Sequence, residues 1–109
     1  MEKLIFINKQ ADLDAVVPTL AAFPMLSVDT ETEGLDPHKH KVLLLQVGTP
    51  ELQVIVDTRV VNPAPLQSLL EGPSPKILQN AKFDYTMIRG SFGIKMENLI
   101  DTMLLGDGR

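Results

Sequence analysis

The sequence predicts an α/β domain built on a mixed sheet. Three consecutive short apolar runs are joined by short connections, which is typical of an antiparallel meander. Later apolar runs alternate with helical patterns, which is typical of parallel strands flanked by helices. The chain has 109 residues, so it forms one small domain or part of a larger one.

The first half of the chain is predicted to form an edge strand, one helix and the meander. Residues 4–7 are a short apolar run that predicts an edge strand. Asp12 is a suitable N-cap for a helix over residues 13–22, and Pro18 is expected to weaken or kink that helix. The strands of the meander are predicted over residues 25–29, 42–47 and 52–57.

The second half is predicted to alternate helices with short strands. Proline and glycine residues bound a helix over residues 66–71, and Gly93 is a suitable C-cap for a helix over 84–92. Asp101 is expected to cap a last helical segment over 102–105. The short strands of this half are predicted over residues 76–79 and 99–100.

Composition excludes several classes of function. The chain has no cysteine, which excludes disulfides, thiol catalysis and cysteine-ligated metals. No apolar run approaches the roughly 20 residues that span a bilayer, so we expect an intracellular, cytoplasmic protein without a membrane partner. The net charge of −4 disfavours a module that binds nucleic acid through its own cations alone. It permits a nuclease that uses bound divalent cations.

The first acidic cluster lies at the end of a predicted strand. Asp29 and Glu31 are two residues apart, and alternate residues of a strand point to the same face. Two carboxylates held this close favour a hard cation such as Mg²⁺ or Mn²⁺ between them. A solvated turn with a helix cap is the simpler alternative for such a pair.

The second acidic cluster surrounds Asp84, where a predicted strand passes into a helix. The simpler alternative for Asp84 is that it interacts favourably with the helix dipole and has no other role. Phe83 is expected to point inward, which would direct Asp84 outward at the edge of the sheet. His38 and His40 are expected to lie in a solvated basic loop rather than in a site.

Both clusters resemble motifs of one enzyme family. Residues 29–36 (DTETEGLD) resemble the first motif of the DEDD family of 3′→5′ exonucleases, and residues 79–84 (QNAKFD) resemble the second. Residues 101–105 (DTMLL) resemble the segment that follows the second motif. The resemblance is strongest to proofreading domains of DNA polymerase I-type enzymes, with ribonuclease D-like enzymes next. It implies a ribonuclease H-like fold.

The resemblance also implies a site with two divalent cations, Mg²⁺ or Mn²⁺. Asp29 would bridge both ions, Glu31 would bind one, and Asp84 would hold the second. These three carboxylates are the predicted catalytic and metal-binding residues. Leu35 would lie against the terminal base, although packing within its own turn is an alternative. The predicted substrate-binding residues are Thr30, Thr32, Leu35 and Asn80.

The resemblance implies hydrolysis of the 3′-terminal phosphodiester of single-stranded DNA, with RNA as an alternative substrate. The family's third motif, with a fourth carboxylate, is not found in residues 1–109. We therefore expect the N-terminal portion of a single exonuclease domain. Its exposed apolar surface would be covered by the remainder of an exonuclease or polymerase chain, or by a second copy. The alternatives are a shortened, inactive module for assembly or nucleic-acid contact, and a ribonuclease D-like enzyme that trims RNA.

Overall fold

The computed structural model describes residues 2–103, which form a six-stranded sheet with helices packed on one face. Among these residues, no helix has the length and apolar character needed to cross a membrane. The strands are β1 (Lys3–Ile7), β2 (Leu26–Thr32), β3 (Val42–Gly48), β4 (Leu52–Asp57), β5 (Lys76–Leu78) and β6 (Leu99–Asp101). The helices are α1 (Gln10–Ala21), α2 (Gln67–Glu71) and α3 (Ala81–Phe92), with a 3₁₀ turn over Ala64–Leu66.

The sheet is mixed, as the sequence predicts. Its strand order is β1-β4-β3-β2-β5-β6. Strands β2, β3 and β4 form the expected antiparallel meander. Strand β1 pairs with β4 in parallel at one edge, and β2, β5 and β6 are mutually parallel at the other. Strand β2 therefore lies between the antiparallel and the parallel parts of the sheet.

One face of the sheet carries the core. Along β2 the buried residues Leu26 and Val28 alternate with residues that are at least partly exposed. The helices contribute to the same core, for example through Leu13 of α1 and Met87 and Ile88 of α3. Leu and Val dominate the core, as the absence of Trp leads one to expect.

The opposite face of the sheet is apolar and open within the described part of the chain. Phe6 of β1 pairs with Ile55 of β4, and both project to this face. Leu4 is 65% exposed and Phe6 is 53% exposed. Exposed apolar surface of this kind marks a site where another element or molecule packs. The exposed apolar surface expected from the sequence is therefore present.

A buried cation holds the parallel edge together. Lys76 begins β5, and its ammonium group donates hydrogen bonds to the carbonyl oxygens of Gly72 and Glu97. Burial lowers the pKa of the Lys76 side chain. These bonds fix the loops that precede β5 and β6. The sequence pattern, which predicted an ordinary apolar strand here, did not reveal this role.

The predicted boundaries of two helices are wrong by about one turn. Helix α1 begins at Gln10, because the amides of Asp12 and Leu13 already bond to the carbonyl of Lys9. Asp12 therefore lies in the first turn instead of capping the helix. Helix α3 begins at Ala81, with Asn80 at its N-cap position. Gly93 ends α3 in the left-handed conformation, as expected, with φ of 71°.

Two further boundaries concern the motifs. Strand β2 continues to Thr32, beyond its predicted end, because β3 pairs with it along this length. Thr102 and Met103 are helical after β6, and the rest of the predicted last helical segment lies outside the described residues.

A substitution at Gly48 tests how tightly the turn between β3 and β4 is packed. A Cβ atom at this position would collide with the backbone carbonyl oxygen of Leu52 in the β3–β4 turn. We expect Gly48→Ala to lower the free energy of unfolding by about 3 kcal/mol, the upper range for overpacking. Urea unfolding followed by circular dichroism measures this. Ser68→Ala on the exposed side of α2 is the control, expected within about 0.5 kcal/mol. Equal stabilities of the two variants would contradict the predicted clash.

Candidate active site

Asp29 and Glu31 project from β2 onto the open face of the sheet. Both side chains are exposed, while Thr30 between them is partly buried on the core side. In the sheet register, Asp29 pairs with Gln46, and Gln46 pairs with Ile55. Asp29 therefore belongs to a row of side chains that crosses three strands on one face. The expectation that both carboxylates leave the sheet in the same direction is confirmed.

A β-bulge follows Glu31 directly. The register between β2 and β3 shifts at Glu31 and Thr32. Beyond the bulge the hairpin stays closed, because Glu33 and Lys41 exchange two hydrogen bonds of 3.0 and 2.7 Å. Bulges commonly redirect side chains beside active sites. Here the bulge, with Leu43 of β3 as the extra residue, shifts the register immediately after the two carboxylates.

The two carboxylates border an open cleft of about 500 Å³. Its floor consists of side chains from the open face of the meander. A cleft with an apolar floor and a few polar groups is a typical ligand site. The residues that line it are Asp29, Thr30, Glu31, Leu43, Leu44, Gln46, Ile55 and Arg59.

Asp84 faces inward from the first turn of α3, and only 4% of its surface is exposed. The Thr30 hydroxyl donates a hydrogen bond of 2.7 Å to Oδ1 of Asp84. The prediction that Asp84 is directed outward is wrong, whereas Phe83 packs against the core as expected. Phe83 is only partly buried, because Ala81, Asp84 and Met87 form the buried stripe of α3.

The surroundings of Asp84 raise the pKa of its carboxyl group. Burial raises the pKa of the Asp84 carboxyl, and the negative charges of Asp29 and Asp101 raise it further. The hydrogen bond from Thr30 acts in the opposite direction by stabilising the carboxylate. A cation near this group would lower its pKa by favouring the charged carboxylate.

Asp101 ties two helix starts to the end of β6. Its Oδ1 accepts a hydrogen bond of 2.9 Å from the amide of Met103, so it caps the following helical segment as expected. Its Oδ2 accepts a second bond of 3.2 Å from the amide of Ala81, the first residue of α3. The bond to Ala81 was not predicted, because it joins residues that are 20 positions apart. Asp101 thus helps to place the helix that carries Asp84.

The predicted substrate-binding residues lie in different settings. Leu35 is 80% exposed, so the alternative of packing within its turn is wrong. The Thr32 hydroxyl donates to the carbonyl of Gly34 and holds the turn. Asn80 is exposed and makes no capping bond with its side chain. The Thr30 hydroxyl donates its hydrogen bond to Asp84, so the Thr30 side chain supports the Asp84 carboxyl group.

The histidine loop is only partly solvated. His38 is exposed, as expected. His40 is half-buried, and its Nδ1 accepts a hydrogen bond of 3.0 Å from the amide of Asp36. His40 therefore belongs to the turn that carries Leu35. It does not reach the cleft beside Asp29.

Within residues 2–103, no three acidic or histidine side chains converge closely enough to hold one metal ion. Asp29 and Glu31 lie on the open face, whereas Asp84 approaches Thr30 from the core side. In addition, Oδ1 of Asp29 accepts a bond from the Thr30 amide. The oxygen donors of Asp29 and Glu31 nevertheless fit the chemistry of a hard divalent cation.

Two polar residues that line the cleft were not predicted from the sequence. Gln46 lies directly beside Asp29 in the register. Arg59 reaches the cleft from the turn after β4, where it pairs with Asp57. The spacing of Asp57 and Arg59 at a predicted strand end was a signal for the second residue. Nothing local in the sequence distinguished Gln46.

The strand order and the paired carboxylates on β2 define a ribonuclease H-like exonuclease fold. A family model described as 3′–5′ exonuclease matches residues 4–107. The chain therefore belongs to the 3′–5′ exonuclease family, and the resemblance seen in its motifs is confirmed. A DNA polymerase of Mycobacterium phage D29 is 34% identical over 89 residues, which cover 73% of the chain and 15% of that polymerase.

Solved structures agree with this assignment. RNase D of Escherichia coli has 25% identity and a TM-score of 0.82, over 97% of the chain and 28% of that protein. The catalytic core of RRP6 from Trypanosoma brucei has 25% identity and a TM-score of 0.81, over 94% of the chain and 29% of that protein. The EXD2 exonuclease domain, soaked in Mn, shares the fold at 22% identity and a TM-score of 0.82, over 96% of the chain and 58% of that domain. The chain spans only a minor part of the first two proteins.

The raised pKa of Asp84 predicts a pH dependence of stability. Because the pKa of Asp84 is raised above that of an unfolded aspartate (about 3.9), the folded state keeps this proton to a higher pH than the unfolded state does. Stability should therefore fall as the pH rises from about 4 through the raised pKa. Asp84→Asn removes this loss and should be more stable than wild type above that window. Urea unfolding at a series of pH values measures the difference. A difference that is independent of pH would contradict the prediction.

The Thr30–Asp84 hydrogen bond gives a second prediction. Thr30→Val keeps the shape but leaves the buried carboxyl without its donor, so it should cost about 1–3 kcal/mol of stability. Thr30→Ser keeps the hydroxyl and should cost less. Both values come from urea unfolding at neutral pH. If Thr30→Val is as stable as Thr30→Ser, the hydroxyl has no role in holding Asp84.

Proposed function

We propose that this chain carries the metal-binding portion of an intracellular exonuclease that digests single-stranded DNA from the 3′ end. The reaction is hydrolysis of the terminal phosphodiester, which releases a nucleoside monophosphate. Two divalent cations, Mg²⁺ or Mn²⁺, assist it. Membership of the 3′–5′ exonuclease family and the phage polymerase relative support this proposal.

One observation carries the proposal. Asp29 and Glu31 are both exposed at the rim of the cleft, immediately before the register shift between β2 and β3. Neither side chain has a cationic partner within 4 Å among the described residues. Two unpaired carboxylates on one face repel each other, so their arrangement favours a bound cation. A structural role alone would be expected to pair them with Lys or Arg.

Each predicted residue has a distinct task in this proposal. Asp29 and Glu31 bind the cations that hold the scissile phosphate, and Asp84 assists from the core side of β2. Bound divalent cations supply an activated water and stabilise the leaving 3′ oxygen. Leu35, which is 80% exposed, presents an apolar surface to the terminal base.

The remaining substrate residues act through the backbone and the turn. Thr30 orients Asp84 through its hydroxyl group, as the 2.7 Å bond indicates. Thr32 holds the turn that presents Leu35. Asn80, exposed at the start of α3, is available to the nucleic-acid backbone.

RNA is the second candidate substrate. The structural comparisons include RNase D, an exoribonuclease involved in structured RNA processing, at 25% identity. The phage polymerase relative, at 34% identity, favours DNA. We propose DNA as the preferred substrate because the sequence from Asp29 to Leu35 is more polymerase-like than ribonuclease D-like.

A non-catalytic module is the third candidate. Within residues 2–103, three carboxylates do not converge on one metal position. In this alternative the chain serves assembly or nucleic-acid contact. In either case the open apolar face, with Leu4 and Phe6, is the surface against which the remainder of an exonuclease or polymerase chain, or a second copy, would pack.

Metal binding separates these proposals. Isothermal titration with Mn²⁺ should detect binding to the wild-type chain, and Asp29→Asn should weaken it by at least about tenfold, since it removes a ligand. Asp14→Asn, an exposed acid of α1, removes the same charge away from the cleft and should leave the affinity unchanged. Equal affinities of wild type and Asp29→Asn would overturn the metal site.

Digestion of labelled oligonucleotides tests the reaction itself. Wild-type chain with Mn²⁺ should shorten single-stranded DNA from the 3′ end, and faster than RNA of the same sequence. Faster digestion of RNA would favour the ribonuclease D-like candidate. Metal binding without digestion of either substrate would favour the non-catalytic module. Full activity of Asp29→Asn would make the exonuclease site assignment wrong.

A further inference from the structure

The cleft beside Asp29 and Glu31 contains a cation that has no assigned role. Arg59 is the one cationic side chain among the described residues that line it. The Arg59 side chain is 61% exposed, so it is not buried by packing. It follows β4 by two positions, outside both acidic motifs.

The sheet register explains how Arg59 reaches the cleft. Glu31 pairs with Leu44, and Leu44 pairs with Asp57 at the end of β4. These side chains form a second row on the open face, parallel to the row that contains Asp29. Arg59 binds the last member of this row. Two strand spacings of about 4.8 Å place the end of the row about 10 Å from Glu31.

Both carboxylate oxygens of Asp57 bind the guanidinium of Arg59. Nε of Arg59 donates to Oδ1 of Asp57, and Nη2 donates to Oδ2, each over 2.9 Å. The Asp57 side chain is only 10% exposed, and the hydrogen bonds from Arg59 lower the pKa of its carboxyl. An ionised, nearly buried carboxylate therefore holds one edge of the fork. The other N–H groups of the guanidinium are left for a ligand.

The charge of the cleft indicates the class of that ligand. Without Arg59 the charged side chains of the cleft would all be anionic, and the whole chain carries −4. A nucleic-acid backbone that enters such a cleft is repelled unless cations neutralise its phosphates. An oriented guanidinium binds a phosphate through two parallel hydrogen bonds.

We propose that Arg59 is a phosphate-binding residue that holds the nucleic-acid backbone next to the nucleotide bound at Asp29 and Glu31. This inference rests on the proposed exonuclease function and assigns a positioning role to a residue outside its motifs. Asp57 is the partner that orients Arg59. The ligand is a phosphodiester strand, DNA or RNA.

Binding of a fluorescein-labelled single-stranded DNA with phosphorothioate 3′ linkages tests the proposal. Fluorescence anisotropy is measured with the full chain and Mn²⁺ over a series of salt concentrations. Arg59→Ala should weaken binding about tenfold and reduce the slope of log K against log salt by about 0.7, the contribution of one phosphate. Arg59→Lys keeps the charge and should preserve most of the slope while binding more weakly than wild type.

Two variants distinguish a specific contact from general electrostatics. Arg89→Ala removes the same charge from the exposed last turn of α3, away from the cleft, and should change binding little. Asp57→Asn removes one negative charge, which by itself would strengthen binding of the anionic DNA strand. We expect it to weaken binding, because Arg59 loses its oriented partner. Circular dichroism and thermal melting confirm that each variant is folded.

The outcomes separate this inference from the proposed function. If Arg59→Ala and Arg89→Ala have equal effects, or if Asp57→Asn binds more tightly, the role of Arg59 is wrong. The exonuclease proposal then still stands on the Mn²⁺ titration of Asp29→Asn. If the wild-type chain binds Mn²⁺ but no oligonucleotide, Arg59 is not a phosphate site in this chain. If it binds neither, both proposals are overturned.

Discussion

The two-residue period of β2 is the constraint on which the whole arrangement depends. It sends Leu26 and Val28 into the core and Asp29 and Glu31 to the open face. Thr30, the residue between the two acids, necessarily faces the core side, where it meets Asp84 from α3. A shift of one residue in the register would bury both carboxylates and expose the core residues. Strand geometry therefore decides which side chains reach the site.

The neighbours of β2 hold that geometry from both sides. The meander fixes its register against β3, and that register shifts directly after Glu31. On the parallel side, Lys76 anchors the loops around β5, and Asp101 links β6 to the first residue of α3. These buried polar contacts place the helix that carries Asp84. They also account for polar residues inside an otherwise apolar core.

Sequence patterns predicted the fold well where the pattern is local and periodic. The meander strands, the edge strand β1 and the left-handed end of α3 at Gly93 agree with expectation. The starts of the helices were predicted less accurately. The helix expected to be capped by Asp12 begins at Gln10, because backbone amides bond to the carbonyl oxygen of Lys9. The direction of Asp84 was wrong for a related reason. Residues 81–84 are already helical, so Phe83 and Asp84 do not point to opposite sides as neighbouring strand residues would.

The sequence by itself determined the family, the mixed sheet and the placement of Asp29 and Glu31 on one face, since each depends on patterns of residues close in the chain. Only the tertiary structure decided that Asp84 is buried against Thr30, that Asp101 supports α3 and that Arg59 stands at the cleft. Contacts between distant segments depend on strand order and register, which local spacing does not encode. Burial then raises the pKa of Asp84, because desolvation acts only once the chain has folded around it.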